Sequence, residues 1–390
     1  MKKALLLIAI VAFLSNAHAQ SGAVRPRRVS PTGSSNATGA SANNASSAPT
    51  VGAPRLDTTR AYTLLQQKQY EAALAEARRI TVADPQNAEA WKIAGFAELS
   101  LKRFKEAADD LQRAYDLQRA AGEEDVNTRD ALAQALVRSE QFEKALPLLV
   151  AATTRPGVRP DAGLLYYRGL AEFRTGKIDE ARRSFEEVIK LEPRNSAALF
   201  YLGRIAQDKK DLNTAITMLN RATQSDPQLA EAWTLLTVAY LQRASSAANE
   251  TQAKADYANA ARAGESLYRL KTDAASALLY GQALIYAEQY ARAVPVLERA
   301  TNLNAQDGTA FYFLGIAQSR LKNFPQAIVA LERAATISTN DANIYRELGY
   351  AYEASKQYAK ALAAYEKGLS IAPNDADLKE SAERVRPFAK

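Results

Sequence analysis

Residues 88–121 read AEAWKIAGFAELSLKRFKEAADDLQRAYDLQRAA. In this stretch Gly95 stands twelve residues before Ala107, and Phe104 stands three before it. The same frame recurs along the chain. Nine alanines occupy the anchor position: Ala73, Ala107, Ala145, Ala181, Ala215, Ala260, Ala293, Ala327 and Ala361, mostly 33 to 38 residues apart with one gap of 45. Three residues before each lies a large side chain: Tyr70, Phe104, Phe142, Ile178, Leu212, Tyr257, Tyr290, Phe324 and Tyr358. Twelve residues before eight of them, with a longer gap in the sixth, lies a small one: Ala61, Gly95, Ala133, Gly169, Gly203, Thr237, Gly281, Gly315 and Gly349. Glycine inside a helix costs about 1 kcal/mol relative to alanine, so six glycines at one register demand a packing reason. Two helices that approach closely at the small residue supply it. The anchor alanine is expected to share the contact, with the large residue plugging the turn beside it.

Between units, Asp84-Pro85, Glu192-Pro193, Asp226-Pro227 and Ala372-Pro373 mark helix stops and starts. Trp91, Gly95, Phe104, Ala107, Leu111 and Ala114 make one full copy of the frame. Leu199, Leu202, Gly203, Ala215, Leu219, Ala222 and Pro227 make another. A third is Tyr345, Leu348, Gly349, Tyr352, Tyr358, Ala361, Tyr365 and Pro373. This pattern resembles the tetratricopeptide repeat family over residues 54–373, with nine copies in register. The resemblance implies an all-α fold: a right-handed superhelical solenoid of about nine antiparallel helix-pair repeats, making roughly one superhelical turn. The first helix of each pair would line the concave face. The repeats fall at approximately 54–87, 88–121, 126–159, 162–195, 196–229, 230–273, 274–307, 308–341 and 342–375, within a repeat region of 56–373. Three departures stand out. The third unit lacks the terminal proline, so a bend is expected near residues 155–160. Pro147 and Pro295 share one register in the second helix, as first-turn prolines or local kinks. Residues 244–254 are an insertion, read as a protruding loop or an extended helix. Residues 374–390 read as a capping helix and tail. Leu378, Ala382 and Val385 line one side, Lys379, Glu380, Glu383 and Arg384 face out, and Pro387 ends the helix.

The two ends of the chain differ in texture. Lys2 and Lys3, the apolar stretch 4–14 and the small-x-small site Ala17-His18-Ala19 read as a signal peptide over residues 1–19. The stretch is too short to span a hydrocarbon core of about 30 Å. Cleavage after Ala19 leaves Gln20 first. The mature chain is then expected to be exported, associated with the bacterial periplasm or cell envelope, and without a transmembrane segment. Residues 20–55, rich in Ser, Ala, Asn, Thr, Gly and Pro and without an aromatic, read as a disordered linker.

Composition argues against chemistry. The chain has no cysteine, and its one histidine, His18, lies in the leader. Disulfides, the usual zinc, haem and iron–sulfur ligation, and histidine-based triads are thereby excluded from the mature chain. Adjacent carboxylates such as Asp109 and Asp110 point in different directions on a helix. No catalytic, cofactor-binding or metal residue is expected, and the protein reads as no enzyme. The net charge of +7 misleads, because six of the 50 basic residues fall in residues 1–55, which hold no acid. The rest carries 44 basic residues against 43 acidic ones, no excess for binding nucleic acid.

The expected role is a protein–protein interaction scaffold or adaptor that holds a peptide or protein segment in the concave groove. Family geometry places in that groove Tyr166, Leu170, Phe173, Arg174, Phe200, Arg204, Gln282, Tyr286, Tyr312, Ile316, Arg320, Arg346 and Tyr350. Rings supply anchoring area and arginines meet carboxylates or carbonyls. The alternative reading is a glycan- or peptidoglycan-binding subunit, or an accessory of polysaccharide export, with envelope polysaccharide as its ligand. Some relatives clamp chaperone tails through Lys, Asn and Arg. Here Lys92 fits one such position, but Phe96 stands where the Asn belongs, so that activity is not supported.

Overall fold

The computed structural model describes residues 57–389; the leader and linker read at 1–19 and 20–55 lie outside them. All regular structure among the described residues is helical, nineteen α-helices followed by a 3-10 turn at Arg386–Phe388. The all-α, helix-pair architecture expected from the sequence is the one formed. Two compact bodies divide between Ala198 and Leu199, inside the helix Ser196–Asp208. The first body holds units one to four: Thr59–Gln66 with Tyr70–Ala83, Ala88–Ser100 with Phe104–Ala120, Val126–Arg138 with Phe142–Thr153, and Ala162–Arg174 with Ile178–Leu191. Unit five pairs Ser196–Asp208 with Leu212–Ser225. The second body continues with Ala230–Ser246 and Glu250–Leu270, Ala274–Tyr286 and Tyr290–Leu303, Gly308–Arg320 and Phe324–Ile337, and Ala342–Ala354 and Tyr358–Ile371. The helix Ala376–Val385 closes it.

Within each body every helix packs on the next in sequence. Adjacent first helices also meet, to an extent that adjacent second helices do not, so the first helices line the inner face. Helix ends are chemically specified. Side chains of Asn87, Asp125, Asp161, Asp273, Asp307, Asp341 and Asp375 accept backbone N–H groups at the starts of the following helices. The inner turns close by paired bonds, as where Arg103 N–H donates to the Glu98 carbonyl at 2.9 Å and Lys102 N–H to that of Leu99 at 3.1 Å. This termination needs one left-handed residue, here Lys102 at φ 63°.

The glycine register does what its spacing implied, with one refinement. A Cβ added to Gly95 would lie 2.5 Å from Leu111 Cγ, and one on Gly315 would lie 2.4 Å from Leu331 Cγ. The tight partner is thus the residue one turn beyond the anchor alanine. Ala107 itself contributes its carbonyl oxygen, 3.3 Å from the same point on Gly95. Pro147 and Pro295 stand at the sixth residue of their helices, beyond the first turn, and the helix continues through both. The insertion forms extended helix rather than a long loop. Unit six has helices of 17 and 21 residues, tied by Arg243, which donates to both carboxylate oxygens of buried Asp256 at 2.7 and 2.9 Å. At the end of the chain, Leu378, Ala382 and Val385 are buried.

Candidate partner-binding face

The residues named from sequence divide into two sets. Tyr166, Phe200, Gln282, Tyr312 and Ile316 are buried and pack their own repeats together. Tyr166 is 3% exposed, its ring centroid 5.9 Å from those of Tyr167 and Phe185. Phe200 meets Tyr201 edge-on at 5.3 Å, and Tyr312 meets Phe313 at 5.4 Å. The Tyr312 hydroxyl has no hydrogen-bond partner among the described residues. Burial, joined by the nearby Glu347 and Asp341 carboxylates, holds its pKa well above the usual phenol range. Leu170, Phe173, Arg204, Tyr286 and Arg346 are half-buried, whereas Arg174, Arg320 and Tyr350 are exposed. Lys92 is engaged within the chain, by Glu89 at 2.6 Å and Asp125 at 3.2 Å.

A rule that the sequence reading missed organises the exposed set. The large residue three before each anchor alanine does more than plug a turn; in several units it meets a first-helix side chain of the next unit. The Arg138 guanidinium lies 4.5 Å from the Phe104 ring centre, and that of Arg174 lies 5.3 Å from Phe142. Tyr257 stacks on Tyr286 at 5.4 Å and 17°. Phe324 meets Tyr350 edge-on at 6.4 Å. The signal was available as the recurring aromatic three before the anchor alanine, but its partner lies in the following repeat. Two further groups complete the second body's inner face. Arg320 makes two 3.1 Å bonds to Glu347, and Arg346 donates to Asp375 and, at 2.8 Å, to Asn343.

Helix pairs of this length, stacked with a glycine–leucine contact at one register, are the structure the repeat frame encodes. The tetratricopeptide repeat family profile matches residues 58–124, 131–182 and 166–230, and a second profile of that description matches 342–375. Together they span more than half of the chain. The chain belongs to the tetratricopeptide repeat family. A profile described as anaphase-promoting complex, cyclosome, subunit 3 matches residues 253–334 of this repeat protein. No curated protein matches the chain. Among solved structures, YrrB, described as a repeat protein of this family with an unusual peptide-binding site, is 19% identical, with a TM-score of 0.44. That match covers 52% of this chain and 99% of YrrB. MamA is 22% identical over 46% of this chain and 93% of its own, TM-score 0.40. The C-terminal part of a tetratricopeptide repeat protein from Cytophaga hutchinsonii is 16% identical over 65% of this chain and 98% of its own, TM-score 0.47. The tetratricopeptide repeat family is one of protein-interaction scaffolds, and no helix among the described residues is long and apolar enough to cross a membrane.

Proposed function

We propose that this protein is an exported adaptor of the bacterial periplasm or cell envelope, which holds a peptide or protein segment against its first-helix face. The observation that carries the binding role is the inner face of first helices within each body, where Phe173 in the first and Tyr286 and Tyr350 in the second keep surface while their neighbours are packed away. Rings fixed in place by neighbours contribute contact area at small entropic cost, as binding anchors do. Export rests on the leader chemistry of residues 1–19. Two measurements test the two parts. Fractionation with N-terminal sequencing is expected to find the chain in the periplasmic or envelope fraction, beginning at Gln20; a cytoplasmic chain retaining Met1 refutes export. Photo-crosslinking from position 173 or 350 in intact cells is expected to capture a protein, whereas capture only from solvent-exposed control positions on the second helices refutes the face.

A further inference from the structure

The first helices differ in charge. Ala88–Ser100, Val126–Arg138 and Ala162–Arg174 each carry three charged residues, whereas Ala274–Tyr286 carries none and Gly308–Arg320 carries only Arg320; Ala342–Ala354 again carries three, Arg346, Glu347 and Glu353. What charge remains on the inner face of units seven to nine is matched internally. Arg320 is forked onto Glu347, and Arg346 is held by Asp375 and Asn343. Glu353 accepts from Arg384 at 2.9 Å and from the Tyr365 hydroxyl at 2.8 Å. Tyr286 is a neutral phenol here, and burial pushes its pKa further up, to about 12. The most open large side chain on this face is Tyr350, 45% exposed. Its ring is fixed, with the Arg320 guanidinium 5.7 Å from its centre and Phe324 edge-on.

We propose that this face, centred on Tyr350, receives an uncharged peptide segment bearing aromatic or long aliphatic side chains. The proposal rests on reading the first-helix face as the partner-binding face and narrows the partner's chemistry. A carboxylate or ammonium group placed there loses hydration and finds no unpaired counter-charge on these helices. An apolar side chain gains by leaving water and meets an anchor that is already ordered. The Arg320 guanidinium already lies over the Tyr350 ring, where a sugar would stack, which favours a peptide over a glycan. Lys322 and Lys356 belong to the inner turns rather than to the helices of the face.

The test is selection of phage-displayed random dodecapeptides on the purified protein. Enriched peptides are then synthesised with a fluorescein label and measured by anisotropy. Enriched sequences are expected to lack Asp, Glu, Lys and Arg and to contain at least one aromatic residue. Their Kd should change less than about twofold between about 50 and 500 mM NaCl, since no ion pairs form. Tyr350→Ala should weaken binding by about tenfold or more, as loss of an anchor does, while Tyr350→Phe stays within about threefold. Lys322→Glu with Lys356→Glu should leave Kd within about twofold. Circular dichroism establishes that each variant is folded. Charged peptides whose binding collapses in salt, or uncharged peptides indifferent to Tyr350→Ala, overturn this proposal and leave the binding face standing. A library that enriches nothing sinks both. Soluble peptidoglycan strands that bind wild type but not Tyr350→Ala assign the site to a glycan and likewise overturn it.

Discussion

Lys102 holds φ at 63°, a conformation that crowds its Cβ against the backbone and that glycine adopts freely. The inner turns place Lys in this role at 68, 102, 210, 322 and 356 and Glu at 140 and 288, with glycine only at Gly176. Relief of strain outweighs the added entropy of an unfolded glycine, so Lys102→Gly should stabilise the protein by roughly 0.5–1 kcal/mol. A urea-unfolding midpoint that fails to rise shows the strain to be absent. Four residues before Lys102, Glu98 is buried beside Asp110, and one nitrogen of Arg78 lies 2.8 Å from a carboxylate oxygen of each. Burial, then the Asp110 charge, pushes the Glu98 pKa from 4.5 up to about 7, and burial raises Asp110 as well, with Asp109 adding to it. The folded protein therefore holds its proton more tightly than the unfolded chain does. Stability from this group is fully present below pH 4.5 and is lost as pH rises through about 7. Amide-exchange protection of Ala88–Ser100, corrected for intrinsic rates, should fall between about pH 5 and 8 and fall less steeply in Glu98→Gln. Protection that rises across that window refutes the assignment.

At the scale of elements, the extended hairpin of unit six depends on one ion pair. Arg243 is half-buried and also donates to Asn213 at 2.9 Å, while Asp256 is fully buried and takes a further bond from Gln252 at 3.0 Å. Removing the guanidinium strands a buried carboxylate, so Arg243→Met should cost about 3 kcal/mol and lower Tm. An unchanged melt shows the hairpin to be held by its apolar contacts alone. This element also explains how far the sequence was legible. The small, polar residues 244–254 suit a loop or a helix equally, and the deciding contact joins residues on two different helices. The helix pairs themselves were legible because their close approach is written into local spacing, glycine against a leucine, phenylalanine or tyrosine one turn beyond the alanine. The face was legible only in part. Ile316 and Tyr350 each follow the register glycine of their repeat, yet the first is buried while the second remains open. Burial on an inner face is decided by the bulk of neighbours on other helices, which no single repeat contains.

At the scale of the whole molecule, a stack of repeats is stabilised by contacts between neighbours, so its ends matter more than their size implies. In the second body the helix Ala376–Val385 covers the last repeat. Leu378 fits against Gly368, where an added Cβ would lie 3.0 Å from its Cδ1. Asp375 holds Arg346 and Arg384 holds Glu353, so the same element also neutralises two charges of the inner face. Truncation after Pro373 removes apolar cover and both counter-charges at once. Nearest-neighbour coupling then dictates a gradient: exchange protection should fall most in residues 342–371, less in 308–337 and less again in 274–303, with residues 57–198 unchanged. Leu378→Ala should reproduce the gradient in weaker form, at a cost of about 2–4 kcal/mol for the cavity. Hydrogen exchange read by mass spectrometry distinguishes this from all-or-none unfolding, in which every described segment would lose protection together. That second outcome would mean that the repeats act as one cooperative unit, and that the cap stabilises the chain as a whole rather than the repeat it covers.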